Sequence, residues 1–284
     1  MTAVSVVIPL GGFDELAGEQ IRAVAGQAGP LDAEVVLSLN TPDVDAGQAL
    51  HAFVEDLGHP GVRVVPSHER AGAAHARNAG ARASTGEVIA FCDADDLVLP
   101  GWLAAIARGC EAHDAVGGRL VEDHFPDPDA RWRPPATPDG NPTFLGVPYI
   151  VSANMAIRRD AFDAVGGFDE DLTRCEDIAI SWVLLKGGRS IGYVADAKVA
   201  YRHRAGLGLM MRQHFMYGRG MSEVLVRYGV PGDEGAGTAR LLRPNSQPGA
   251  ARSLGSVLRR ASLAAGRVSG LALERLARHR RRGP

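Results

Sequence analysis

Gly86-Glu87-Val88-Ile89-Ala90-Phe91-Cys92-Asp93-Ala94-Asp95-Asp96 places a run of β-formers, Val88 to Cys92, directly before three carboxylates within four positions. Strand side chains alternate between faces, and the carboxyl end of a strand is where a turn can aim them into a cleft. Asp93 and Asp95 are two apart, so both can point the same way and converge on one hard divalent cation. Such a cation takes oxygen ligands and bridges to phosphate oxygens. The competing reading of the same residues is a solvated acidic turn, with Asp95 or Asp96 capping a helix that Pro100 opens.

Outward from that stretch, strand and helix signals alternate. Val4–Ile8, Glu34–Leu39, Val62–Val65 and Val88–Cys92 read as short buried strands, separated by helical stretches near Glu15–Ala28, Ala46–Leu57 and Gly72–Ser84. The alternation predicts an α/β fold of βαβ units, with a Rossmann-like, mostly parallel central sheet flanked by helices. Ligands of such sheets bind outside the carboxyl ends of the strands, where Pro9, Asn40 and Asp93 fall. Further along, Ala115–Val121 reads as a strand and Leu207–Tyr228 as a helix stopped by Gly229. Asp123 to Pro142 contains six prolines without periodicity and reads as a loop suited to a mobile flap.

Just upstream of the acidic turn stands Glu69-Arg70-Ala71-Gly72-Ala73-Ala74-His75-Ala76-Arg77-Asn78-Ala79-Gly80, running on to Ser84-Thr85-Gly86. Together with Asp93-Ala94-Asp95-Asp96 it resembles the NxGxxxARNxG…TGEYIAFLDADD pattern of family 2 glycosyltransferases, whose fold is GT-A. Three more segments agree, in the family's order. Val4-Ser5-Val6-Val7-Ile8-Pro9 resembles the opening strand. Ser152-Ala153-Asn154-Met155-Ala156-Ile157-Arg158-Arg159, followed by Gly166-Gly167-Phe168-Asp169-Glu170, resembles the acceptor-side segment. Glu176-Asp177 then sits where the family carries its catalytic pair. Five ordered motifs across about the first 225 residues are far more specific than any one of them.

The resemblance implies a metal-dependent, inverting sugar transfer from a nucleotide-diphosphate donor to a hydroxyl of a glycan, lipid-linked or secondary-metabolite acceptor. It implies Mn²⁺ or Mg²⁺ as cofactor, with Asp95 the principal ligand and Asp93 touching the ribose or the metal. His203 falls where many members complete the metal shell; a structural histidine after a strand is the alternative. Arg77 fits the nucleotide phosphates, and Asn78 either the nucleotide or a local cap. Asp177 is implied as general base, with Glu176 raising its pKa or holding the acceptor; the alternative is simple complementation of a helix dipole. Pro9 and Asn40 line the nucleotide in this scheme. The chain departs from the family at Leu39-Asn40-Thr41-Pro42, where an acid usually reads the base, and at Pro9-Leu10-Gly11-Gly12. An amide both donates and accepts, so Asn40 leaves the base open. The expected organisation is a GT-A domain over 1–228, with a donor half over about 1–122 and an acceptor half over about 143–228, as the resemblance implies. A linker over 229–250 and a basic amphipathic helix over 251–284 follow.

Bulk properties constrain the alternatives. The 284 residues suffice for one large α/β domain with an appendage. Cys92, Cys110 and Cys175 form neither a metal spacing nor an even disulfide set, which favours a reducing compartment; Cys175, beside the acidic pair, reads as a small partly buried thiol, with a nucleophile as the alternative. No apolar run reaches a membrane span, and Val4 to Leu10 is too short for a signal core, so a cytoplasmic placement is expected. The net charge of −2 hides an asymmetry: nine arginines against Glu274 make the stretch from Ala251 +8, leaving −10 on the rest. An acidic body excludes a nucleic-acid groove. The tail carries apolar residues at 257, 258, 261, 264, 265, 268, 271, 272 and 276, with Arg259, Arg260, Arg267 and Arg278 roughly opposite. That pattern suits either peripheral contact with an anionic membrane, at the inner face of a plasma membrane, or docking on protein. Two other functions compete. A sugar-nucleotide pyrophosphorylase should carry a basic glycine-rich loop after its first strand, and Pro9–Asp14 has no Lys or Arg. A degenerate nucleotide-sugar- or glycan-binding protein draws support only from the Asn40 region.

Overall fold

A computed structural model describes residues 3–126, 136–203, 206–232 and 254–281, with side chains of the last segment described over 257–274. Its frame is an eight-stranded sheet in the order β3-β2-β1-β4-β9-β6-β10-β5. The strands are β1 (Val4–Leu10), β2 (Glu34–Leu39), β3 (Val62–Pro66), β4 (Val88–Cys92), β5 (Leu97–Val98), β6 (Ala115–Val121), β9 (Asn154–Arg158) and β10 (Ile191–Ala200); β7 (Thr143–Phe144) and β8 (Val147–Pro148) form a separate hairpin. The first four strands pair in parallel, joined by α1 (Glu15–Ala28), α2 (Val44–Leu57) and α3 (Ala73–Ala83). The sheet is mostly parallel as expected, with an antiparallel component. β9 inserts antiparallel between β4 and β6, and β5 runs antiparallel to β10. β9 returns beside β6 after a long excursion through the β7–β8 hairpin, an order that local periodicity does not encode.

Alternation along the strands distributes the core over both faces. Val4, Val6, Ile8 and Leu10 pack with α1 and α4 (Trp102–Ala112), whereas Val7 joins Val36, Ile89, Phe91, Met155 and Ile157 on the other face. Phe91 lies 5.2 Å from Phe168 edge-on and 5.9 Å from Phe162, so this fully buried ring ties β4 to α5 (Arg159–Val165) and the turn after it. Truncating such a ring typically costs about 3–5 kcal/mol. Asn154 closes the other half of the sheet. Its amide donates to Arg119 O and Ala197 O, where β10 bulges between Val194 and Lys198, and accepts from the Trp102 indole at 2.8 Å.

Beyond the sheet, α6 (Glu176–Lys186) packs on α7 (Leu207–Tyr228), and α8 (Leu254–Arg281) lies along α7. Gly218, Gly266 and Gly270 bring the two backbones together: a Cβ on Gly266 would collide with the Phe215 carbonyl, and one on Gly218 with that of Leu263. The tail helix is therefore docked on protein, and its contact face differs from the expected one. Gly266, Arg267, Gly270 and Leu271 are buried, whereas Val257 and Val268 stay 48% and 57% exposed. Small residues select the face because backbone contact leaves no room for branched side chains, and Arg267, expected on the polar side, is carried into the interface.

The linker expected over 229–250 begins with Val230 buried beside Leu225, and its residues 233–250 lie outside the described ones. The flap expected over Asp123–Pro142 includes 127–135, also outside them. Its later part is pinned: the Thr137 hydroxyl accepts from Leu120 N at 2.7 Å, and Asn141 donates to Gly192 O. Among the described residues, no helix is long and apolar enough to cross a membrane.

Candidate active site

The carboxyl ends of β1, β2 and β4 open into a cleft of about 1870 Å³ whose lining includes Pro9, Asn40, Arg77, Asp93, Asp95, Glu176, Asp177 and His203. Its acidic turn is held from below. Gln20, fully buried on α1, donates to Asp93 O at 2.9 Å and accepts from Val98 N at 2.8 Å, gripping both ends of the loop between β4 and β5. Asp93, Asp95 and Asp96 can each present an oxygen within 4.8 Å of the others. Asp96 was readable only as a cap. It is buried, accepts from Arg202 N at 2.8 Å through Oδ1, and leaves Oδ2 buried with no hydrogen-bond partner. Burial, then the charges of Asp93 and Asp95, raises its pKa well above the carboxylate range. Three converging carboxylates with an orphaned buried oxygen among them fit a hard divalent cation, because oxygen ligands and a positive charge relieve both costs.

His203 does not belong to that cluster. Its Nε2 lies 2.9 Å from Glu122 Oε1, at the end of β6, and its ring stacks edge-on to Tyr201 at 5.0 Å. The His–Glu pair lines the cleft, but among the described residues the trio whose oxygens lie within reach of one ion is Asp93, Asp95 and Asp96, without His203.

Arg77 joins the two walls. Buried on α3, it donates to Asp93 Oδ1 at 2.6 Å and to Glu176 Oε1 at 2.8 Å, residues 16 and 99 positions away. Although burial disfavours the charge, the two carboxylates more than offset it and hold the guanidinium firmly protonated. Its neighbour Asn78 turns away from the cleft. The Asn78 amide donates to Phe168 O and Glu170 Oε1 and accepts from Phe168 N, clamping α3 to the Gly166–Glu170 turn. The nucleotide role expected of Asn78 thus gives way to a structural clamp, the alternative reading of the same residue. Asn40 is also occupied: it donates to Ser67 O and Arg70 O and accepts from Gly72 N at 2.8 Å, fixing the turn that leads into α3.

On the other wall, Cys175 adopts a left-handed backbone with φ 65°, a conformation that costs a non-glycine residue about 1 kcal/mol or more. This kink lets Glu176 and Asp177 open α6 facing the cleft. The Cys175 thiol is buried and its pKa lies well above the ordinary value, chiefly through burial, which makes it an inert packing group. The Asp177 carboxyl keeps a little solvent exposure on the cleft yet is ringed by protein. Burial first, and the Glu176 charge second, push its pKa up to about 7, against the Ile178 and Ser152 amides and the Arg77 charge. A carboxylate poised there suits proton transfer near neutrality. Tyr149 and Tyr217, which sequence reading missed, stand within electrostatic reach of Asp177.

Residues 5–166 match the family described as glycosyl transferase family 2. Over 202 residues the chain is 30% identical to the pre-mycofactocin glycosyltransferase of Mycobacterium tuberculosis, covering 65% of this chain and 42% of that protein. Over 214 residues it is 25% identical to a probable N-acetylgalactosaminyltransferase 9 of Caenorhabditis elegans, covering 66% and 37%. The chain therefore spans about two fifths of the length of these relatives. Among solved structures, the mannosyltransferase PcManGT from Pyrobaculum calidifontis, in complex with GDP-Man and Mn²⁺, matches with a TM-score of 0.68 at 18% identity, over 95% of this chain and 87% of its own. TarS 1–349 of S. aureus, in complex with UDP-GlcNAc, matches with 0.61 at 18% identity, over 84% and 70%. These likenesses show a GT-A fold.

Proposed function

The chain belongs to glycosyl transferase family 2, and from that premise we propose that it transfers a sugar from a nucleotide-diphosphate donor to an acceptor hydroxyl with inversion at the anomeric carbon. One observation carries the reading: Asp93 and Asp95, of a carboxylate trio able to hold a cation, line the same cleft as Asp177, whose carboxyl has its pKa raised toward neutrality, and a buried arginine bridges Asp93 to Glu176 beside it.

Asp93, Asp95 and Asp96 would hold Mn²⁺ or Mg²⁺, which supplies charge neutralisation for a departing diphosphate. Arg77 fixes Asp93 relative to Glu176, so that donor and acceptor walls keep their spacing. Asp177 accepts the proton of the acceptor hydroxyl. The freed oxygen bonds to the anomeric carbon from the face opposite the diphosphate, the carbon–oxygen bond to phosphate breaks, and the nucleoside diphosphate leaves. A single displacement of this kind inverts configuration. Glu176, beside the base and tied to Arg77, discourages ionisation of Asp177 at low pH.

The test is a panel of nucleotide-sugars with Mn²⁺, reading release of nucleoside diphosphate with and without simple sugar acceptors. Metal-dependent release of a diphosphate is the expected result. Formation of a nucleoside triphosphate and a sugar 1-phosphate, only when inorganic pyrophosphate is added, would indicate pyrophosphorylase chemistry, and binding without turnover a carrier.

A further inference from the structure

α8 does more than cover α7. Arg259, Arg260 and Arg267 line the same cleft as Asp177. Their position follows from a chain of close contacts. Gly218 and Gly266 bring α8 onto α7 backbone to backbone, and Gly220 lets α7 rest on Arg174, where a Cβ would stand 2.7 Å from the carbonyl. Arg174 and Cys175 lead directly into Glu176 and Asp177. Arg267 is buried, its guanidinium 5.9 Å from the Phe144 ring centroid and 3.6 Å from the Met221 sulfur, and Ser222 donates to its backbone carbonyl at 2.8 Å. Burial holds its pKa below the ordinary arginine value. Arg259 and Arg267 are eight positions apart, so the arginines span about 12 Å along the helix at the helical rise.

Resting on the transferase reading above, we propose that these three arginines form a subsite for a phosphate group on the acceptor. Of the three, Arg267 borders Phe144, Met221 and Cys175, and Cys175 leads into Glu176 and Asp177. The donor's diphosphate, in contrast, belongs at the acidic turn. Phosphate matches the donor set: guanidinium groups present planar pairs of N–H donors suited to phosphate oxygens, and α8 carries Glu274 as its one acid. The shared chemistry is a phosphomonoester or diester, borne either by a lipid carrier or by a soluble sugar phosphate.

The experiment uses the full chain. Calorimetric titration first measures binding of UDP and GDP with Mn²⁺. Decyl phosphate, below its micelle concentration, and glucose 1-phosphate are then titrated separately into the nucleotide-saturated protein. The same series is run on the R259Q/R260Q double variant, which leaves buried Arg267 and the helix contact alone, and on R259K/R260K. The expected result is a probe affinity weakened about tenfold or more in the glutamine variant, equivalent to ~1.4 kcal/mol. The lysine variant stays within about threefold, and nucleotide affinity within about twofold. Preference for decyl phosphate assigns a lipid-linked acceptor, preference for glucose 1-phosphate a soluble one, and equal binding assigns the phosphate alone; each supports the subsite. Failure of both probes to bind, equal probe binding by the glutamine variant, or a nucleotide affinity that falls more than the probe's overturns it. If no nucleotide binds with Mn²⁺, the transferase reading itself fails, and the subsite with it.

Discussion

Replacing Glu176 by glutamine should move the pH at which turnover switches on. Asp177 has an ordinary value of 3.8 and is held at about 7, with burial the larger cause and the Glu176 charge the next. A rise of about 3 units corresponds to ~4 kcal/mol of disfavoured ionisation. Burial remains after the substitution, so most of the rise remains. Arg77 also loses one of its two carboxylate partners and acts more strongly on Asp177, in the same direction. The net expectation is a fall of the Asp177 pKa by on the order of 1 pH unit. A base works only when ionised, so kcat climbs about tenfold per pH unit below its pKa and levels off above it. The assay is initial diphosphate release at saturating donor and Mn²⁺ across roughly pH 5 to 9. Wild type should reach half its plateau near pH 7 and Glu176→Gln near pH 6, while Asp177→Asn should be flat and slower by about 10²–10⁴. A Glu176→Gln midpoint that stays put or moves upward refutes the coupling. An Asp177→Asn variant with unchanged kcat refutes the base.

Three further outcomes follow from the packing. Asp95→Asn should weaken Mn²⁺ binding about tenfold or more by direct titration without lowering the melting temperature, since an exposed ligand charge is lost and no core contact; an unchanged metal affinity would remove Asp95 from the site. Gly266→Val drives a side chain into the Phe215 carbonyl, so melting should reveal a loss of about 1–3 kcal/mol, with α8 cleaved earlier in limited proteolysis. Burial would raise the pKa of Glu34, yet hydrogen bonds from Ser5, the Thr85 backbone and hydroxyl, and Arg63 pull it down to about 2. Its contribution is therefore full above the ordinary 4.5 and is lost as pH falls from there through about 2. With the group partly exposed, Glu34→Gln should cost about 1–2 kcal/mol near pH 7, and the gap from wild type should close in acid.

The parallel half of the sheet was legible because its signals are local. Glu34–Leu39 and Val88–Cys92 are short runs rich in apolar β-formers, and the structure keeps those bounds, as it keeps those of Ala115–Val121. The antiparallel insertion of β9 was not legible, since Asn154–Arg158 is attracted to β4 and β6 by a pairing that no nearby residue announces. The same distinction holds in the cleft. Asp93, Asp95 and the Glu176-Asp177 pair stand out as motifs, but the link from Arg77 to Glu176 spans 99 positions and exists only once the sheet has formed. Asn78 sits beside Arg77 in sequence, yet one helical step of about 100° takes its amide onto the backbone of the Gly166–Glu170 turn. Asp96 was hidden in plain view as the fourth residue of its motif; what marks it is a buried oxygen, which a sequence does not display. In α8 the apolar periodicity pointed to the wrong face, because glycines rather than large side chains decide how closely two helices meet.

The most direct measurement of the proposed chemistry is the anomeric configuration of the first product, read by proton NMR before any mutarotation. A single displacement assisted by Asp177 on a donor held at Asp93, Asp95 and Asp96 yields the configuration opposite to that of the nucleotide-sugar. A product retaining the donor's configuration would contradict it.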